Sequence, residues 1–298
     1  MKNPEETKGN IQNHLESKIT TFELKASGYC NNAYYLETES KQKLIVKQEK
    51  EVQEFTPQNS LLIEAKIARK FREFDLSIPT SRVVFVAQNP DMYGYEYIEG
   101  DLLKSVWKEL SEEERVNVCK KLGNFHAEIG QQISREEATK LGITIDDSSD
   151  VHPETLEEYE ENIRNMDILE SYRTLVTKAK EMLDSTSDDA VFQFIHNDAH
   201  HENILINDKE ISGFIDYGNS EYGEVAKEFS RYIRDFPDYF HYIVEGYEEK
   251  SGNKLSYKRL VSYSCVSGFG EIVEDYLRGG EARIRTDEMV RKYRELLF

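Results

Sequence analysis

Three stretches of this 298-residue chain carry side chains that can do chemistry together. Two of them are neighbours, Phe194-Ile-His-Asn-Asp-Ala-His-His-Glu-Asn-Ile-Leu-Ile206 and Ile211-Ser-Gly-Phe-Ile-Asp-Tyr-Gly218. They set Asp198, Asn203 and Asp216 among short apolar runs, where buried neighbours hold a polar side chain still. The third, Leu44-Ile-Val-Lys47, is an apolar run that ends on a cation. Phosphoryl transfer needs such a set: a group that orients the attacking hydroxyl, hard oxygen ligands for Mg2+, and a cation on the donor phosphates. Asp198 is the candidate base, Asn203 and Asp216 are the candidate metal ligands, and Lys47 is the candidate contact to the α- and β-phosphates. Glu64, on the helix pattern that follows, can pair with Lys47 and fix its direction.

The elements that must position these residues follow from periodicity. Alternation and turn residues predict antiparallel strands at Thr20 to Leu24, Ala33 to Glu37 and Lys43 to Gln48, after a short polar leader. Ser60 to Phe74 puts Leu62, Ile63, Ile67, Ala68 and Phe71 on one helical stripe. Arg82 to Ala87 and Tyr93 to Ile98 read as two further strands around Asn89-Pro90-Asp91. Beyond Gly100 the pattern turns helical. A helix runs from Ser111 to Ile129, opened by Ser111 and Glu114 as a capping box, and another from about Pro153 to Leu183. Short strands at Phe192 to Ile195, Ile204 to Ile206 and Ile211 to Ile215 interrupt this half, and helices resume from Glu224. The expected domains are 1–98 and 99–298, joined at a hinge near residues 97 to 100.

Composition narrows the partners. A formal charge of −19, from 57 acidic against 38 basic residues, repels phosphate backbones, so nucleic acid is not an expected partner. A bound nucleotide then needs local positive charge, whereas a cationic acceptor meets no such obstacle. Cys30, Cys119 and Cys265 are far apart, in neither a metal-ligand nor a disulfide pattern. No segment approaches the roughly 20 apolar residues of a membrane span, and the first residues lack the apolar core of a signal peptide. A soluble, cytoplasmic enzyme with no membrane partner is expected.

His196-x-Asp198, Asn203 and Asp216-Tyr217-Gly218 together match H-x-D-x-x-x-x-N followed by D-[FY]-G. In this respect the chain resembles the aminoglycoside phosphotransferase family of the protein-kinase-like superfamily, from about Leu24 to its C-terminus. The resemblance implies an α+β, two-lobed protein-kinase-like fold: an N-terminal antiparallel sheet with one helix, and a larger, mainly helical C-terminal lobe. It implies ATP or GTP as phosphate donor, with Mg2+. Tyr93 to Ile98, with Tyr95, Tyr97 and Ile98 as the named candidates, becomes the segment that reads the nucleobase. Gly28 to Asn32 becomes the turn over the phosphates, although it lacks a full G-x-G-x-x-G. Glu224 and Glu228 stand where relatives often carry the aspartates of a D-P-x-x-D pattern. Protein substrates match less well: Asn197 precedes the candidate base where protein kinases usually have Arg, His200 replaces their catalytic-loop Lys, and no A-P-E segment follows Asp216.

The resemblance further implies a cationic small-molecule acceptor, an aminoglycoside antibiotic above all. The alternatives are a macrolide or a metabolite such as choline, homoserine, a thioribose or a fructosamine. From another class comes a catalytically inactive kinase-like binding protein, against which the full set Lys47, Asp198, Asn203 and Asp216 argues. Glu271, Glu274 and Asp275, beside Tyr276 and after Gly268-Phe269-Gly270, fall where this family borders its acceptor pocket, and Asp235 and Asp238 can extend that wall. Carboxylates with aromatics suit ammonium groups. His196, at a strand end, is expected to tie the loop to backbone carbonyls, and His126 to pack inside a helix bundle. A zinc site at His196, His200 and His201 lacks cysteine partners, and the oxygen ligands nearby suit Mg2+ better.

Overall fold

The computed structural model describes residues 4–28, 30–50, 60–88, 91–147, 169–277 and 293. Along the chain these form α1 (Pro4–Gln12), β1 (Ile19–Ser27), β2 (Asn31–Thr38), β3 (Lys43–Glu49), α2 (Leu61–Phe71), β4 (Val83–Gln88), β5 (Asp91–Glu96), β6 (Asp101–Leu102), α3 (Leu103–Val106), α4 (Glu112–Gln132) and α5 (Arg135–Leu141). There follow β7 (Thr144–Ile145), α6 (Leu169–Ser185), β8 (Phe192–Ile195), β9 (Ile204–Asn207), β10 (Glu210–Phe214), β11 (Glu221–Glu224), α7 (Val225–Asp235), α8 (Phe240–Ser251) and α9 (Tyr257–Leu277). The class is α+β, with an antiparallel sheet first and helices dominating the C-terminal part. Of the helix expected from about Pro153 to Leu183, residues 153–168 lie outside the described residues. No described helix is long and apolar enough to cross a membrane.

The chain divides into two compact units: Met1–Val118 with Gln132–Thr144 and His201–Glu221, and Cys119–Gln131 with Ile145–His200 and Tyr222–Phe298. In the first, five strands form an antiparallel sheet in the order β1-β2-β3-β5-β4. Alternation along β3 sends Leu44 and Val46 to one face and Ile45 and Lys47 to the other. The first face packs with Ile11, Ile19, Leu36, Phe85 and Met92. Ile11 belongs to α1, so the stretch read as a polar leader contains a helix whose one apolar residue is fully buried under the sheet. On the opposite face Ile45, Tyr93 and Tyr95 pack with Leu61, Ala65 and Ala68 of α2. Ser60 caps α2 by accepting the Ile63 N–H, and the buried stripe of that helix includes Glu64. The Lys47 side chain and Glu64 are therefore turned toward the same layer. A second sheet, β10-β9-β6, completes this unit.

The second unit is built on α7, whose Val225, Ala226, Phe229, Tyr232 and Ile233 are buried. It packs against α9, which also packs against α6. The 119–131 part of α4 lies against α8 so closely that a Cβ on Gly123 would stand 2.0 Å from the Ile243 carbonyl oxygen. Only glycine admits that approach. Glu224, at the start of α7, is buried and bonded by the Arg259 guanidinium at 2.6 Å and the Tyr263 hydroxyl at 2.7 Å, which ties α7 to α9. Cys119 and Cys265 are buried and Cys30 is half-buried, and none of the three is in a disulfide.

Candidate active site

In the first unit the structure brings Lys47, Glu64 and Asp216 together. Lys47 Nζ donates to both Glu64 carboxylate oxygens at 2.9 Å and to Asp216 Oδ1 at 2.7 Å. Tyr93, the β5 residue paired with Lys47 across the sheet, donates its hydroxyl to Glu64 Oε1 at 2.8 Å. Burial works against a charge on Lys47, but the carboxylates of Asp216 and Glu64 outweigh it, so the ammonium is held charged. A strand lysine is normally a solvated charge; this one is held inside by two acids and aimed by them.

Asp216 ends the β10 segment with φ 70, a left-handed conformation that Asp tolerates better than most residues. Tyr217 then turns into the interior, fully buried, edge-on to Phe71 of α2 at 5.2 Å. The contact couples the helix that carries Glu64 to the turn that carries Asp216. Asn203, buried at the start of β9, accepts the Ile215 N–H on its backbone oxygen at 3.0 Å. That bond sets the two candidate metal ligands on neighbouring strands.

A carboxylate and a side-chain amide oxygen are hard donors that suit Mg2+. Among the described residues, no three His, Cys, Asp or Glu gather into a metal site. Proteins commonly hold Mg2+ by one or two carboxylates, with substrate phosphates completing the shell.

The remaining donor-side candidates lie around the same sheet. Tyr95 is buried with its ring 5.6 Å from that of Tyr93, and Tyr97 stands edge-on to Tyr35 at 5.2 Å. Sheet pairing persists to Tyr97, whose N–H donates to the Lys43 carbonyl at 3.0 Å. Ile98 packs over Gly213. Gly100 has φ 151, and a Cβ there would meet Ser212 Oγ at 2.5 Å and the Ile206 carbonyl oxygen at 2.9 Å, so the chain leaves the strand through a position only glycine fills. Gly28 bonds to the Asn31 carbonyl at 2.9 Å across the β1–β2 turn, of which Tyr29 lies outside the described residues.

Asp198 belongs to the second unit, where its neighbours are residues the sequence reading had not assigned to it. Arg231 of α7 donates through Nη1 to Asp198 Oδ1, and His200 Nε2 lies 3.7 Å from Oδ2. Burial raises the Asp198 carboxyl, but the neighbouring His200 ring and the Arg231 charge more than offset it and hold the group at about 2. One turn earlier on α7, Glu228 Oε2 accepts the Asn197 backbone N–H at 2.9 Å, and Asn197 itself has φ 57. Glu228 Oε1 is buried without a hydrogen-bond partner, and burial pushes this carboxyl up to about 8.

His196 Nδ1 accepts the Asp198 N–H at 3.2 Å. A ring nitrogen thus satisfies the loop's own donor, which sequence could not distinguish from a bond to a carbonyl. His126 is buried in α4, 2.6 Å from the Tyr232 hydroxyl, and burial holds it neutral, at about 3.

Asp235 is half-buried at the end of α7 and Asp238 is exposed beyond it. Glu271, Glu274 and Asp275 lie on the last turns of α9, and their side chains fall outside the described residues.

The profile of the phosphotransferase enzyme family matches residues 21–254. No curated protein matches the sequence. Among solved structures the chain is similar to the GDP complex of aminoglycoside 2′-phosphotransferase-IIIa, at 14% identity and a TM-score of 0.69, covering 99% of this chain and 97% of that one. It is also similar to the gentamicin complex of APH(2″)-IIa, at 17% identity and a TM-score of 0.65 over 100% of this chain and 96% of that one. A macrolide 2′-phosphotransferase from Brachybacterium faecium gives 13% identity and a TM-score of 0.67, with 96% and 98% covered.

Proposed function

Because the chain belongs to the phosphotransferase enzyme family and is a kinase with an alcohol group as acceptor, we propose that it moves the γ-phosphate of ATP or GTP to a hydroxyl of an aminoglycoside. The observation that carries this reading is the charged Lys47, fixed by Glu64 and Asp216 beside Asn203. An inactive binding protein has no need of that arrangement. The nucleotide donor is supported by relatives in complex with GDP, ADP and ATP. The aminoglycoside is supported by relatives in complex with gentamicin and kanamycin, and by a charge of −19 that favours cationic ligands.

Lys47 contacts the α- and β-phosphates, with Glu64 holding its direction. Asp198 accepts a hydrogen bond from the acceptor hydroxyl and orients its oxygen at the γ-phosphorus. The new O–P bond forms as the bond from the γ-phosphorus to the β–γ bridging oxygen breaks, and the hydroxyl proton passes to Asp198. A phosphorylated acceptor and a nucleoside diphosphate result. Asp216 and Asn203 would hold Mg2+, whose charge, when bound, neutralises the donor phosphates. Because the transition state is loose, these groups act by position and charge. Glu271, Glu274, Asp275, Asp235 and Asp238 are assigned to the acceptor's ammonium groups. A phosphate on the drug would set negative charge where it meets RNA and so weaken its binding, which is the basis of antibiotic resistance. The enzyme would act in the cytoplasm.

The test is transfer from Mg-ATP and Mg-GTP into aminoglycosides, with macrolides, choline, homoserine and aminosugars alongside. Saturable transfer to an aminoglycoside is expected. Transfer to a macrolide alone would establish the second reading, which the equally similar macrolide enzyme supports.

A further inference from the structure

Helix α7 grips the segment bearing Asp198 at two consecutive residues. Glu228 takes the Asn197 N–H, and Arg231, three positions on, takes the Asp198 carboxylate. Residues three apart share a helix face, so both contacts come from one element whose other side is buried in the core. The ion pair is partly withdrawn from water: the Asp198 side chain is 20% exposed and that of Arg231 34%.

The groups around the carboxylate divide in their effect. Burial opposes its charge, while His200, Arg231 and His196 favour it. Of the three that favour it, a histidine helps electrostatically only when protonated, whereas a guanidinium is charged at every working pH and its planar fork also fixes direction. A group that must receive a proton from a weakly acidic hydroxyl has to be ionised beforehand and held in one rotamer.

We propose that Arg231 is a positioning residue for the transfer reaction, fixing the rotamer of the Asp198 carboxylate and keeping it ionised to receive the acceptor's proton. The proposal rests on the phosphotransfer reading of Asp198 given above. Arg231 has no counterpart in the motif H-x-D-x-x-x-x-N. The arginine that precedes the aspartate in protein kinases is replaced by Asn197, and here the cation comes instead from a helix more than thirty residues further on.

The experiment follows the Asp198 carboxyl directly, by NMR of protein carrying 13C-carboxyl aspartate, assigned through the signal lost in Asp198→Asn. Kinetics are measured on the same samples. In the unaltered chain the signal stays flat from about pH 7.5 to about pH 4.5, above the titration of an ion-paired carboxylate. In Arg231→Met it titrates inside that window, and kcat falls by roughly 10²-fold, the scale of a disabled general base, with the nucleotide KM unchanged. Arg231→Lys, which keeps the charge and loses the fork, retains the flat signal and loses kcat by about 10-fold.

A flat signal and unaltered kcat in Arg231→Met would overturn the proposal. Should that variant not fold, unaltered kcat in Arg231→Lys overturns it as well. The carboxyl signal requires no acceptor, so absence of turnover in the unaltered chain would count against the phosphotransfer reading and leave the Arg231 result standing.

Discussion

At the scale of single residues, the candidate site was legible where one side chain's identity fixes its chemistry. Lys47 and Glu64 are 17 positions apart on a strand and a helix; their pairing was read from their chemistry, while the stripe read through Leu62 and Ile63 is replaced by a buried face of Leu61, Glu64 and Ala65 with Ile67, Ala68 and Phe71. What attends Asp198 was not legible, because Arg231 is one of three basic residues on α7, with Lys227 and Arg234, and only the packing of α7 selects it. Two consequences follow. Asp198→Ala should keep nucleotide binding and lose about 10²–10⁴-fold in kcat, the usual contribution of a general base; steady-state kinetics with a nucleotide-binding assay check it. Lys47→Met should be costly in another way, leaving Glu64 buried and unpaired at about 3–5 kcal/mol. A urea titration should show the loss, and adding Glu64→Gln should recover much of the stability but none of the nucleotide affinity.

At the scale of elements, alternation and stripe foretold most strands and α2. Helix α1 was missed because a single apolar residue, Ile11, makes its contact with the core, and periodicity needs more than one point. Glu228 on α7 was seen as a departure from D-P-x-x-D without a role; its bond to Asn197 depends on a backbone turn that no side-chain pattern records. Since burial raises this carboxyl to about 8, its protonated form is favoured by folding. Its contribution to stability is complete below the unfolded value near 4.3 and is lost as pH rises through about 8. Glu228→Gln, neutral throughout, should therefore gain stability relative to the parent between pH 5.5 and 8.5, as urea midpoints at the two pH values would show. Gly123→Ala tests the helix crossing: the helix-propensity gain of about 1 kcal/mol should be overcome by an overpacking cost of about 1–3 kcal/mol or more, lowering Tm.

At the scale of the whole molecule, the sequence carried the class of fold and of reaction, because motif order along the chain is a linear property. It did not carry the acceptor: one scaffold serves many substrates, and with 57 acidic residues in the chain an acid near the C-terminus is weak evidence of a pocket. Net charge still makes a prediction. If a cationic acceptor is drawn in by the field of a chain at −19, its KM should rise as salt shortens the Debye length from about 10 Å at 0.1 M to about 3 Å at 1 M, while a neutral acceptor's KM stays level. The measurement that bears most directly on the central claim is phosphate transfer from Mg-ATP and Mg-GTP to an aminoglycoside by the unaltered chain and by Asp198→Ala side by side. The account predicts saturable transfer by the first and almost none by the second; transfer by both at similar rates would contradict it.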